Sequence, residues 1–397
     1  MTDNSKDTDA PDRDAGRSES LDDIRGTIDA LDHRILEALG ERQRTVERVV
    51  RGKLEREDEI RDPAREEALL ARIRQRAPEY GLDPYFLEQL FREIIRSSVR
   101  YQTHALVDRQ NERDRANRIR VSYQGTDGAF SHQAAMRHFS QRYAEVECIG
   151  YTRFEEAADA VGRGQVDVSI LPIENTTAGS INDTYDLLND KELFVIGEEV
   201  LKVNHCLMAP EEVELANIRR VLSHPQAIAQ CSRFLAALPR CHVETYFDTA
   251  MAARKVRDDA DLSQAAIASA YAAEIYGLRI LRTDLANQAE NFTRFVVVGP
   301  EALSCDLQLK CKTSLIFATI DEGGALLACL NVLGDHGINM TKLESRPRLG
   351  HPWQSLFYLD IEGNREEPRV ADALDQLGRK AQYLKVLGSY PVREGKW

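Results

Sequence analysis

The hydrophobic pattern changes twice along the chain, and each change predicts a different architecture. Residues 1–18 are mostly Asp, Ser, Arg and Gly with almost no apolar positions. Such a segment buries too little surface to fold and is expected to be a disordered tail. From Leu21 onward, Ile24, Ile28, Leu31, Ile35, Leu39, Val46 and Val49 recur at helical spacing, which predicts one long amphipathic helix. Asp62-Pro63 supplies an N-cap followed by proline at the first helical position, opening a second helix that runs to about Ala77. Asp83-Pro84 repeats the signal and opens a third, with Leu87, Leu90, Phe91, Ile94 and Ile95 on its stripe, ending near Leu106. Residues 19–106 are thus expected to be all-helical. The first helix is too long for its partners within the chain, so a second copy is expected to pack along it.

Residues 107–117 are charged and carry no buried stripe, which reads as a linker or a helix extension. From Ile119 short β-rich runs (IRVSYQG, VDVSILPIE, FVIGEEV, HCLMA, AAIAS, TRFVVVG) alternate with helical stretches such as 132–141 and 227–238. That alternation predicts an α/β domain over 118–303. Over 310–393 the order is strand, helix, strand, strand, helix, strand, the α+β ferredoxin-like unit.

Composition narrows the function. The 397 residues hold 52 Lys and Arg against 65 Asp and Glu, a net charge of −13. Nucleic-acid binding is disfavoured, because phosphate neutralisation needs clustered cations. An anionic small molecule stays compatible, since a few cations dominate inside one pocket. No apolar run reaches the ~18 residues of a membrane span. The first twenty residues lack the basic-then-apolar order of a signal peptide, and the seven cysteines contain no Cys-x-x-Cys. Both features predict a cytoplasmic protein with reduced thiols. No His, Cys and carboxylate set has metal-ligand spacing, and no Gly-x-Gly-x-x-Gly follows a strand, so no metal or nicotinamide cofactor is expected.

On the first helix Arg42 and Lys53 fall within ~20° of each other and ~16 Å apart along the axis, room for a small dianion between two long cationic side chains. Arg25 lies ~26 Å from Arg42 along the same axis and ~100° round it, out of reach of that ligand but within reach of an antiparallel partner's. Ser98 and Gln102 extend the apolar stripe of the third helix with polar groups. Each residue alone has a plainer reading: a solvated cation, a helix cap at Asp62, or a Ser98 hydroxyl bonded back to its own helix. The joint pattern is what points to a site.

These residues resemble the all-helical chorismate mutases over about 20–106, in LDDIRGTIDALDHRILEALGERQRTVERVVRGK, IRDPAREEALL and IIRSSVRYQ. The resemblance implies an intertwined dimer. It implies that the partner's Arg25 together with Arg42 hold the substrate carboxylates, and that Lys53 and Gln102 reach the ether oxygen. Arg61, Asp62, Arg65, Glu66 and Ser98 complete the lining, with Glu66 at the ring hydroxyl.

Four polar clusters sit beside strand ends in the α/β region: GTDGAFSH from Gly125, PIENTTAGS from Pro172, SHPQ from Ser223 and NFTRF from Asn291. Taken singly they read as turn chemistry; strand-end loops are also where α/β sheets bind ligands. Together they resemble prephenate dehydratase over about 118–303. The implied fold is two α/β lobes like those of periplasmic binding proteins. The implied catalytic residue is Thr293, with Asn175, Thr176, Ser180, Gln226, Arg294 and Phe295 around it. The last unit, with GALLACLNVLGDHGINMTKLESRP, resembles the ACT regulatory domain, which implies L-phenylalanine near Gly324, Ala325, Leu326, Asn339, Glu344, Ser345 and Arg346.

The whole chain thus resembles the bifunctional P-proteins. Chorismate would become prephenate and then phenylpyruvate, under feedback by L-phenylalanine, in a homodimer with higher assembly left open. Two rival readings are a monofunctional dehydratase that keeps its helical region as a dimerisation arm, and a non-catalytic amino-acid sensor.

Overall fold

In the computed structural model the described residues are 21–56, 63–110, 118–238, 240–307, 309–348 and 354–392. The expected tail, Arg61, Asp62 and most of the expected linker lie outside them. The chain divides into two compact units, Met1–Asp58 and Glu59–Trp397. The described part of the first is α1 (Leu21–Arg56), one helix of 36 residues. Its apolar stripe is open: Ile24, Ile28, Leu31, Ile35 and Leu39 are all exposed.

The second unit begins with α2 (Pro63–Arg76) and α3 (Pro84–Gln110). Asp83 starts α3 as its sequence suggests, accepting a hydrogen bond from the Tyr85 N–H at 3.0 Å. The helix runs on to Gln110, so the start of the charged segment after Leu106 extends it. Glu88 ties the pair, accepting from Arg74 at 2.7 Å and from Arg92 at 2.6 Å.

Next come, in chain order, β1 (Arg118–Gln124), α4 (Phe130–Phe139), β2 (Glu145–Tyr151), α5 (Phe154–Gly162), β3 (Val168–Asn175), β4 (Gly179–Ser180), α6 (Asn182–Asp190) and β5 (Phe194–Lys202). A second lobe follows as β6 (Cys206–Ala209), β7 (Arg220–Ser223), α7 (Pro225–Gln230), α8 (Ser232–Ala237), β8 (His242–Thr245), α9 (Thr249–Asp259), β9 (Gln264–Ala268), α10 (Ala270–Tyr276) and β10 (Arg279–Arg282). The chain then returns to the first lobe as β11 (Phe292–Gly299). The first sheet has the order β2-β1-β3-β11-β5, and the second β10-β6-β9-β7-β8. In the first sheet β1 pairs in parallel with β2 and β3, while β11 lies antiparallel between β3 and β5. The second sheet is apolar on both faces: Met208, Leu222 and Ala266 pack on α9 and α10, and Leu207, Val221 and Ile267 on α7 and α8. Burial on both sides is why these strands read as continuous apolar runs.

The last elements are β12 (Cys311–Thr319), α11 (Ala325–Asp335), β13 (Met340–Pro347), β14 (Ser355–Glu362), α12 (Pro368–Lys380) and β15 (Ala381–Pro391). They form an antiparallel sheet ordered β13-β14-β12-β15, the ferredoxin-like arrangement. One face, with Leu315, Phe317, Leu359 and Ile361, packs on α11 and α12. The other face places Ile316, Ala318, Leu356, Tyr358 and Leu387 in one core with Leu171, Val195, Val296 and Val298 of the first lobe.

Polar contacts reinforce that junction. Arg294 donates to Glu198 at 2.9 Å, to Asp360 at 2.6 Å and to the Tyr390 hydroxyl at 2.9 Å. Burial opposes its charge, but Tyr390, Asp360 and Glu198 hold its pKa well above the usual guanidinium value. Lys385 donates to the carbonyls of Leu188, Asn189 and Lys191 at the end of α6, a cation on a helix C-terminus.

Gly388 marks the tightest approach. Its φ of 143° lies in the region that favours glycine, and a β-carbon there would run into the Val195 carbonyl oxygen. Gly388→Ala is therefore expected to destabilise the chain by about 1–3 kcal/mol, the usual cost of overpacking, read by thermal or urea denaturation.

Candidate active site

The antiparallel register of β3 and β11 sets Asn175 directly opposite Thr293. Asn175 opens an Asx turn: its Oδ1 accepts from the N–H groups of Thr177 at 3.0 Å and Ala178 at 2.8 Å. Gly179, at a φ of 85°, then turns the chain back as β4. Two backbone donors on Oδ1 decide which way the carboxamide points. Its Nδ2 must face the other way, and donates to Thr293 Oγ1 at 2.9 Å, Asn291 Oδ1 at 2.9 Å and the Phe292 carbonyl at 3.1 Å. Thr293 is 8% exposed. Its oxygen accepts from Asn175, which leaves its own proton to donate outward.

The network continues into the second lobe. Gln230, on α7, donates from Nε2 to Thr177 Oγ1 at 2.5 Å and accepts from Asn291 Nδ2 at 3.0 Å. His205, on the connector between β5 and β6, reaches the same Gln230 Oε1 at 2.8 Å. The two connectors between the lobes bond to each other: Val203 N–H donates to the Asn291 carbonyl and Leu285 N–H to the His205 carbonyl. Thr293 thus stands where the two lobes join, on a set of amides with no charged member. Such a site can bind polar oxygens and donate a proton from a hydroxyl.

The other residues expected in this region are placed as follows. Thr176 Oγ1 accepts from Phe292 N–H at 2.9 Å and ties the loop to β11. Gln226 is exposed at the start of α7, and it is Gln230, one turn later, that enters the network. Arg294 points away from Thr293, into the junction with the third sheet. Phe295 is 1% exposed within the core. Ser180 donates to Glu344 Oε2 at 2.8 Å, so it too faces the C-terminal unit. The GTDGAFSH segment ties the two lobes at another point: Thr126 donates to Asp248 at 3.1 Å, and the Asp127 carbonyl accepts from Tyr276 at 2.6 Å.

In the C-terminal unit Gly324, with a φ of 84°, opens α11 ahead of Ala325 and of Leu326, which packs on the core below. Asn339 is exposed just before β13. On β13 Glu344 and Arg346 turn to the first lobe, Arg346 donating to Asp186 at 2.6 Å, and Ser345 alternates to the opposite face.

In the helical regions, α1 carries Arg25, which is exposed, and Arg42, whose pKa burial lowers. Lys53 lies on the backbone of α1, with its side chain outside the described residues. Arg65 and Glu66 lie on α2, Ser98 and Gln102 on α3. Ser98 Oγ donates to the Ile94 carbonyl at 2.9 Å, the back-bond of its own helix. Among the described residues no group of three or more His, Cys, Asp or Glu is arranged to hold a metal ion, and no helix is long and apolar enough to cross a membrane.

The family model for prephenate dehydratase matches residues 121–302, and that for chorismate mutase type II matches 24–103. The bifunctional chorismate mutase/prephenate dehydratase of Enterobacter agglomerans is 38% identical over 369 residues, covering 93% of this chain and 95% of that relative. A solved prephenate dehydratase from Arthrobacter aurescens, in complex with L-Phe, is 30% identical with a TM-score of 0.63, covering 69% of this chain and 90% of that one. A structure described as GqqA, a novel type of quorum quenching acylase, is 34% identical with a TM-score of 0.63, covering 69% and 98%. The chain belongs to the family of bifunctional chorismate mutase/prephenate dehydratases.

Proposed function

We propose that this chain rearranges chorismate to prephenate at residues of its helical region, and that Thr293 then assists the conversion of prephenate to phenylpyruvate. The observation that carries the second assignment is the Asn175–Thr293 hydrogen bond, in which the threonine oxygen accepts and its own proton is left to donate elsewhere. In the reaction the bond to the ring carboxylate breaks and carbon dioxide leaves. The electron pair enters the ring as it aromatises, and the ring hydroxyl departs. Thr293 donates a hydrogen bond to that departing oxygen, which leaves as hydroxide while the threonine keeps its proton. A threonine hydroxyl is a weak acid, and the surrounding amides hold it in place so that its reach costs no reorganisation.

The first reaction is pericyclic and needs no nucleophile or proton shuttle. It needs a flexible dianion held compact and donors at the breaking ether oxygen. Arg42 and the partner's Arg25 are assigned to the carboxylates, Lys53 and Gln102 to the ether oxygen, and Arg61, Asp62, Arg65, Glu66 and Ser98 to the lining. The open apolar stripe of α1 supports a homodimer in which two such helices pair. The domains are taken as 19–106, 118–303 and 310–393. Seven free thiols support a cytoplasmic setting.

The C-terminal unit is read as an ACT domain that takes L-phenylalanine near Gly324, Ala325, Leu326, Asn339, Glu344, Ser345 and Arg346. Its ferredoxin-like sheet and the L-Phe held by the Arthrobacter aurescens relative support this reading.

Thr293→Ala is expected to lower phenylpyruvate formation at least about a hundredfold, the scale of losing a catalytic proton donor. Chorismate consumption in the same chain stays at the parent rate, so prephenate accumulates. Parent-like phenylpyruvate formation in the variant contradicts the assignment. Saturating L-phenylalanine is expected to slow the dehydratase step, and by linkage prephenate-site ligands must change phenylalanine affinity. A dehydratase rate indifferent to phenylalanine contradicts the regulatory reading.

A further inference from the structure

The hydrogen-bond polarity of the Thr293 network can be followed outward from the backbone, and it ends on a residue that no part of the assignment above uses. Backbone N–H groups of Thr177 and Ala178 fix Asn175 Oδ1 as an acceptor. The Thr177 hydroxyl, 2.7 Å from that same oxygen, must therefore donate to it. Having spent its proton there, Thr177 Oγ1 accepts from Gln230, so the Gln230 amide must turn its nitrogen toward Thr177. Gln230 Oε1 then faces Asn291 Nδ2 and His205 Nε2. An oxygen cannot donate, so the proton at the far end sits on His205 Nε2.

The surroundings of His205 agree with a neutral ring in that tautomer. The residue is 2% exposed, and its Nδ1 is buried with no hydrogen-bond partner among the described residues. Burial lowers its pKa, so the ring does not gain a second proton that nothing would receive. Phe130 packs edge-on against the imidazole, with ring centroids 5.6 Å apart, and holds its plane.

We infer that His205 is a positioning residue for the dehydratase step: by donating from Nε2 it gives Gln230 Oε1 a second donor and so holds the Gln230 amide against Thr177 and Asn291, the two side chains bonded to Asn175 beside Thr293. Without that donor Gln230 Oε1 keeps only Asn291, and the Gln230 side chain is held less firmly against Thr177 and Asn291. Thr177 and Asn291, both bonded to Asn175, then shift more readily, and with them the amide that donates to Thr293. His205 touches neither Thr293 nor, by its burial, any ligand beside it. The inference rests on the assignment of Thr293 made above.

The test compares His205→Leu, which keeps volume without a donor, with His205→Gln, whose amide restores an N–H, in the full chain. His205→Leu is expected to lower dehydratase kcat about tenfold to a hundredfold, the scale of a small misplacement of a reacting group. KM stays within about twofold, as for a group that acts only on orientation. Mutase turnover is retained, and His205→Gln recovers most of the loss. Selective histidine 15N NMR of the parent is expected to show one imidazole held with its proton on Nε2 from pH 6 to 8. Three results would overturn the inference: parent-like kcat in His205→Leu, equal impairment in both variants, or a proton on Nδ1. The NMR reading decides the matter even if His205→Leu fails to fold. Thr293→Ala run alongside separates the two claims. If it also keeps dehydratase turnover, the Thr293 assignment has failed; if only His205→Leu does, the positioning role alone has failed.

Discussion

The structure depends on one strand pairing. β11 returns from the second lobe and inserts antiparallel between β3 and β5, so that Thr293 meets Asn175, 118 residues earlier in the chain. The pairing closes the first sheet, joins the two lobes through adjacent connectors, and builds the site at that junction. It also divides the labour of β11 by alternation. Thr293 faces the amide network, and Arg294 faces Glu198, Asp360 and Tyr390 on the other side. A slip of one residue would exchange the two, placing a guanidinium among the amides and a hydroxyl in an ion cluster.

That alternation makes one strand common to the site and to the C-terminal sheet. The neighbouring β3–β4–α6 segment repeats the arrangement. Asn175 lies in the site, whereas Ser180 and Asp186 bond to Glu344 and Arg346 of β13. Lys385 holds the far end of α6. Both strands that carry site residues are thus anchored in the C-terminal unit by buried or half-buried polar contacts. Removing one partner of such a contact leaves the other unsatisfied at a cost of about 1–3 kcal/mol.

Much of the fold was legible from periodicity. The three opening helices, the α/β alternation and the βαββαβ order follow from spacing, because each element buries one face and its apolar residues repeat accordingly. The helix expected over 227–238 is two short ones broken at Cys231, which no Gly or Pro announced. Part of the site was legible too: Asn175 and Thr293 stand in polar clusters at strand ends. Gln230, Thr177 and His205 were not singled out. Gln230 lies one turn beyond SHPQ, and His205 opens a strand that reads as plain core, so only the folded arrangement of the connectors shows their use. Arg294 and Ser180 looked like ligand contacts because they are polar residues in motifs; the fold has both bonding across the junction of lobe and sheet, Ser180 to Glu344.

The direction of one hydrogen bond matters most: Asn175 donates to Thr293, and Thr293 donates outward. Asn175→Asp tests it with the change of a single group. A carboxylate keeps the two backbone bonds on Oδ1 but only accepts from Thr293, pulling the threonine proton inward. Dehydratase kcat of the full chain is expected to fall about a hundredfold at neutral pH while chorismate turnover is unchanged. Dehydratase turnover within a few-fold of the parent in this variant would contradict it.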